Sequence, residues 1–206
     1  MIVVKPRLEE LKRVARKVFL GAVVVYPTDT VYGIGCDPYN EGAVRRIMEL
    51  KGREESKALP ILCSSFEVAK KLVYLGEESF KLAKNFWPGP LTLIEKLKDY
   101  KISKLARLNL DKIGVRVPDN PLTLKFIELC GGKLIGTSAN KSGLKAPKNP
   151  EEVFEFLGKD FDFLIDGGEC KYGKASTVID FTFKPFKIVR EGPLSLKEVF
   201  KVLNEP

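Results

Sequence analysis

Histidine is absent from this chain of 206 residues, so no imidazole is at hand as a base, a nucleophile relay or a metal ligand. Any catalysis falls to cations, hydroxyls, carboxylates, backbone N–H groups and metal ions held by oxygen. Cysteine is sparse and scattered. Cys36, Cys63, Cys130 and Cys170 form no CxxC pair, which argues against a zinc ribbon or a dithiol redox motif and predicts free, mostly buried thiols. Long apolar runs are missing as well. The opening segment MIVVKPRLEELKRVARKVFL has neither the length of apolar residues a membrane span needs nor a small-residue cleavage site, so a cytoplasmic location is expected. Glutamine is also absent while lysine and glutamate abound, a balance that resembles thermophile composition.

What the chain does have is positive charge. Lysine and arginine number 35 against 27 acidic residues, a formal charge of +8. That implies an anionic partner, nucleotide or nucleic acid, or else a solvated lysine-rich surface. A hydrophobic share of 44% beside 30% charged residues is the balance of a globular protein with a real core, and the length suits one domain over 1–206.

Periodicity organises that core. Leu8, Leu11, Val14, Ala15, Val18 and Phe19 recur at helical spacing, with Gly21 at the C-terminal turn. Residues 22–26 form an apolar, β-branched run that reads as a strand buried on both faces and ended by Pro27. Helices are expected over 41–50 behind an Asn40 cap, from a Ser64/Glu67 capping box, over 77–86, from Asn120-Pro121 to Cys130, from Asn149-Pro150 to Leu157, and after Ser195 with Glu198. Strands are expected near 59–63, 91–97, 113–117, 134–137, 163–165, 177–181 and 186–189. Interleaved in this way, the elements predict an α/β (α+β) fold: a twisted open mixed sheet with flanking helices.

Several segments bear chemistry, each with a plainer reading beside it. Pro27-Thr28-Asp29-Thr30-Val31-Tyr32-Gly33-Ile34-Gly35 follows the buried strand and either lines a pocket or is a polar turn. Lys51-Gly52-Arg53 with Lys57 suits a polyphosphate or is a solvated loop beside Glu54 and Glu55. Trp87-Pro88-Gly89-Pro90, before the strand holding Thr92, reads as a rigid turn with its Trp in the core. Arg116 projects from an apolar strand opposite Val115 and Val117 and needs an anion, from the protein or from a ligand. Gly136-Thr137-Ser138-Ala139-Asn140 ends a strand in groups able to bind phosphate, ribose or a hydrated cation, or is a simple strand-to-loop turn, and lacks the spacing of a P-loop. Ser176-Thr177 and Arg190 add weaker anion handles near the C-terminus.

Jointly, YPTDTVYGIG, KGR, FWPGPLT, GVRVP, TSANKSG, LIDGG, STVID and VREG resemble, in order, the blocks of the YrdC-like family. The resemblance implies an open α/β sheet around a concave basic cavity. It also implies synthesis of threonylcarbamoyl-adenylate from L-threonine, bicarbonate and ATP, with Mg²⁺ expected, in the service of tRNA threonylcarbamoyladenosine formation at position 37 by a downstream transferase. On the family's KxR and SxN elements it makes Lys51 and Arg53 catalytic, and Arg53, Lys57, Gly136, Ser138, Asn140 and Arg190 ATP contacts. Thr30, Arg116 and Ser176 become threonine contacts. No metal ligand is assigned.

The chain departs from the family at Glu54 and Ala58, which follow KGR, and at Leu62, where some members carry histidine. The larger members' extra C-terminal domain is expected to be absent. Two other readings stay open: a double-stranded RNA or tRNA-binding protein using the same basic hollow, and a YciO-like relative without synthase activity.

Overall fold

Val23 and Val25 point to one side of a short strand and Val24 and Tyr26 to the other, and all four are fully buried. Such a strand needs cover on both faces, and the fold is built around it. The structure, a computed structural model, describes residues 1–52 and 58–204. In chain order these form β1 (Ile2–Val4), α1 (Leu8–Phe19), β2 (Val24–Tyr26), β3 (Gly33–Gly35), α2 (Glu41–Leu50), β4 (Ile61–Cys63), α3 (Phe66–Leu72), β5 (Val73–Tyr74), α4 (Glu77–Phe86), β6 (Leu91–Leu97), β7 (Lys112–Arg116), α5 (Pro121–Leu129), β8 (Lys133–Ile135), β9 (Thr137–Ser138), α6 (Pro150–Phe156), β10 (Phe163–Ile165), β11 (Thr177–Asp180), β12 (Lys187–Arg190) and α7 (Leu196–Asn204).

Local chemistry sets most helix starts. The side chains of Asn40, Asn120 and Asn149 accept from the N–H groups of Ala43, Thr123 and Glu152, satisfying donors that a first turn leaves open. Ser195 and Glu198 cap α7 reciprocally, at 3.0 and 3.3 Å. One start differs from the sequence reading. α3 is capped by Ser65, whose Oγ accepts from Val68 N, rather than by Ser64, because the Ser64 N–H is taken by Gly132 O at 3.0 Å.

The expected single sheet is two. A five-stranded sheet runs β1-β10-β2-β3-β9, and a seven-stranded one runs β12-β11-β6-β7-β4-β8 with β5 beside β6. Both mix parallel and antiparallel pairs. The strand expected over 134–137 breaks at Gly136, so that β8 stays in the larger sheet and β9 joins the smaller. Gly136 turns this corner with its N–H on Pro60 O at 2.9 Å. A Cβ there would lie 2.3 Å from Leu62 Cγ, so only glycine fits without moving the wall.

Helices α1 and α5 cover the Val24 and Tyr26 side, where Val14, Val18 and Phe126 pack. Val44 and Ile47 of α2 cover the other side. Leu82 of α4 and Val199 of α7 pack on the outer face of the larger sheet against Leu93 and Leu97. Trp87 also lies in this core, its Nε1 donating to Leu91 O. All four cysteines are free and buried, and burial pushes the Cys170 thiol up to about 11. No helix among the described residues is long and apolar enough to cross a membrane.

Candidate active site

With its outer face under helices, the seven-stranded sheet turns its inner face to a cavity of about 990 Å³. Strand alternation chooses the floor. Leu91, Leu93 and Leu97 enter the core, leaving Thr92 and Ile94 inside; Ile113, Val115 and Val117 do the same for Gly114 and Arg116. Register then aligns these residues across strands. Leu62 pairs with Arg116, Thr92 with Val178, and Val178 with Arg190. Leu93 pairs with Val115, which sets Thr92 beside Arg116. The first row of the floor thus reads Leu62, Arg116, Thr92, Val178, Arg190. The lining is basic, with Lys51, Lys112, Lys145, Lys174, Arg116 and Arg190 against a lone carboxylate, Asp180, among the described residues.

Segment 27–35 is a hairpin rather than a simple turn, because β3 pairs antiparallel with β2. Its tip brings three side chains to the cavity wall. Thr28 Oγ1 lies 2.9 Å from Thr30 Oγ1 and donates to Val31 O, which fixes the tip. Arg116 reaches the same tip. Its Nε donates to Gly89 O at 2.9 Å, Nη1 to Thr30 Oγ1 at 2.8 Å, and Nη2 to Asp29 Oδ1 at 2.5 Å. The anion left open by the sequence is therefore supplied by the protein, and two of the five guanidinium N–H groups remain beyond these bonds. Burial pushes the Asp29 carboxyl up, with the Arg116 charge pulling it back. Burial also lowers Arg116.

Lys51 ends α2 and is 3% exposed. Its Nζ donates to Ser138 O and to Asn140 O, while its own carbonyl accepts from Ser142 N at 2.8 Å. The lysine thus staples the end of one helix to the 138–142 segment. Asn140 Nδ2 donates to Lys141 O and to Leu144 O, so this side chain shapes the loop. On the far side, Arg190 Nε donates to Ser176 O at 2.8 Å and Nη2 to Ser176 Oγ at 3.3 Å.

Thr30, Lys51, Arg116, Gly136, Ser138, Asn140, Ser176 and Arg190 all line this one cavity. Arg53 and Lys57 lie outside the described residues. The sequence reading missed Asp29 as the partner of Arg116, Thr92 as a floor residue, and the ion pair of Lys112 with Asp180 at 2.8 Å. Alternation along 91–97 and 112–116 was the signal for Thr92 and Lys112. Nothing local marked Asp29, which is 87 positions from Arg116.

Strand-end hydroxyls and buried cations face one hollow of an α/β fold, a lining whose chemistry suits small anionic molecules. The comparisons agree. The Sua5/YciO/YrdC family, described as "Telomere recombination", matches residues 17–192, and the chain belongs to it. A threonylcarbamoyl-AMP synthase of Pyrococcus abyssi is 42% identical over 100% of this chain and 61% of its own length. The solved structure of Pyrococcus abyssi Sua5 complexed with L-threonine superposes with a TM-score of 0.91 at 40% identity, covering 99% of this chain and 61% of that one. Escherichia coli YciO superposes at 0.86 with 28% identity, over 96% of this chain and 98% of that one. The chain therefore spans about three-fifths of the Pyrococcus relative.

Proposed function

We propose that the chain is a threonylcarbamoyl-AMP synthase. It is read as a cytoplasmic nucleotidyltransferase that makes threonylcarbamoyl-adenylate and pyrophosphate from L-threonine, bicarbonate and ATP, and supplies a downstream tRNA threonylcarbamoyl transferase. The observation that carries this is convergence. Thr30, Arg116 and Ser176 open on the same cavity as Lys51, Ser138 and Arg190, which supports an amino acid and a triphosphate bound side by side. The threonine complex of the similar Pyrococcus protein supports the amino-acid half.

The chemistry suits a chain without histidine. Threonine's α-amino group attacks the bicarbonate carbon through its neutral fraction, forming the C–N bond and releasing water, with no imidazole base needed. A carbamate oxygen then attacks the α-phosphorus. The α–β anhydride breaks, and its electron pair leaves with pyrophosphate. The protein's share is alignment and charge. Arg116, held by Asp29, turns its remaining N–H groups to the threonine carboxylate, beside the Thr30 and Ser176 hydroxyls. Lys51, Ser138 and Arg190 face the phosphates, with Gly136 and Asn140 shaping that wall; Arg53 and Lys57 are ATP contacts on the strength of the KGR motif. Among the described residues no three His, Cys, Asp or Glu side chains cluster. A Mg²⁺ ion brought with ATP would neutralise charge on the departing pyrophosphate.

The test incubates the protein with labelled bicarbonate, ATP, Mg²⁺ and either threonine or serine, and looks for the carbamoyl-adenylate. Formation with threonine preferred is expected, strongly reduced in Lys51→Ala, Arg53→Ala and Arg116→Ala. No product from the unaltered protein would overturn the reading in favour of an inactive YciO-like relative. Salt-sensitive retention of double-stranded RNA or tRNA without turnover would favour a nucleic-acid binder.

A further inference from the structure

Thr92 sits between the two halves of the proposed site without belonging to either. It is 5% exposed, and the register sets it beside Arg116 on one side and Val178 on the other. A hydrogen bond and the open space over Gly114 set its rotamer. Its methyl fills the space that a side chain at Gly114 would occupy, Cγ2 lying 3.2 Å from where a Cβ would be. Its hydroxyl lies 2.8 Å from Ser176 Oγ, which is equally buried. A β-branched residue held at both ends cannot turn its hydroxyl elsewhere without losing one contact.

Proton accounting gives this pair a direction. Arg190 Nη2 donates to Ser176 Oγ at 3.3 Å, and a guanidinium has no acceptor. Ser176 has one proton, which goes either to Thr92 or into the cavity. A carboxylate there accepts only, so it draws the Ser176 proton, and the Thr92 proton must then point at Ser176 Oγ. Ser176 in that state receives from Thr92 and Arg190 and donates its own proton to the ligand. We propose that Thr92 is a positioning residue that turns the Ser176 hydroxyl into a donor for the carboxylate of the amino-acid substrate. This rests on the threonine reading above and adds a residue to it. Without the Thr92 hydroxyl, Ser176 Oγ loses the donor that polarises its own O–H toward the ligand and the contact that holds the oxygen in place, so its hydrogen bond to the carboxylate weakens.

Calorimetric titration of threonine, with steady-state KM for threonine and for ATP, tests this in Thr92→Val and Thr92→Ser. Valine keeps the methyl packing and removes the hydroxyl; serine does the reverse. The expected result is threonine affinity weakened about tenfold in the valine variant, the scale of one hydrogen bond to a charged group, with ATP KM within about twofold and affinity restored in the serine variant. Threoninol, which has no carboxylate, should bind the unaltered protein and Thr92→Val equally. If Thr92→Val does not fold, Thr92→Ala removes the hydroxyl without a new packing demand. Equal threonine affinity in the hydroxyl-free variant overturns the proposal, as does a serine variant that folds and binds as poorly as valine. Failure of the unaltered protein to bind threonine would instead sink the synthase reading itself.

Discussion

Asp29 Oδ1 and Arg116 Nη2 meet at 2.5 Å, with side chains 0% and 6% exposed. They come from the tip of the β2–β3 hairpin in one sheet and from β7 in the other, so the pair ties the two sheets together beside the cavity. Removing the carboxylate leaves a buried guanidinium without its counter-charge. Asp29→Ala should cost about 3–5 kcal/mol of stability, read from urea unfolding. Asp29→Asn keeps an acceptor for Nη2 and should unfold closer to the original midpoint, while raising the threonine KM because Arg116 is less firmly held. An alanine variant as stable as the original protein would mean that the pair carries no net energy.

Lys51 Nζ serves two carbonyls of the 138–140 segment. Lys51→Met keeps the aliphatic stem and takes a charged donor from both oxygens, of which Ser138 O still accepts from Asn140 N at 2.9 Å, at a cost of roughly 1–3 kcal/mol. Turnover should fall by about a hundredfold and ATP KM should rise. Lys51→Arg should not rescue it, since a planar fork does not match two acceptors arranged around a point charge. Steady-state kinetics beside thermal melts separates the two effects.

Gly136 marks the strand that changes sheets, and its missing side chain leaves room for Leu62. Gly136→Ala is expected to lose about 1–3 kcal/mol through overpacking. Adding Leu62→Ala removes the clash, so the double variant should be more stable than the sum of the single effects allows. Additive losses would show that the strain lies in the backbone at the corner.

Glu95 is 5% exposed on the core side of β6, and its Oε1 has no partner among the described residues. Burial pushes its carboxyl up, opposed by the Ser79 hydroxyl and the Gly76 N–H. A carboxyl raised on folding favours the native state only while protonated, and that contribution is lost as pH climbs through its folded value. Glu95→Gln should therefore melt higher than the original protein at about pH 8 and converge with it near about pH 4. A difference independent of pH would assign the effect to packing.

Much of the fold was legible because its signals are local. Helices α2 and α4 and strands β6 and β10 fall where periodicity and caps put them, since Asn40 answers a neighbouring N–H and alternate residues of 91–97 must face one way. Strand β3 was hidden by its composition. Gly33 and Gly35 look like turn residues, yet a Cβ at Gly35 would stand 1.9 Å from Ile135 O, so the glycines allow a close backbone approach that no local pattern announces. Short β1 and β5 gave too few residues for a period to register. The site was legible as separate anion handles, and the family resemblance joined them.

The order of residues along the chain by itself determined the strand faces, most helix caps, the exclusion of imidazole chemistry and the ordered motif blocks, because each depends on neighbours within a few positions or on composition alone. Only the tertiary structure decided that two sheets meet at Gly136, that Arg116 takes its counter-ion from Asp29, and that Lys51 grips a loop 87 positions away. Those contacts close long stretches of chain. Their energy depends on where every intervening element packs, and short-range patterning carries no trace of it.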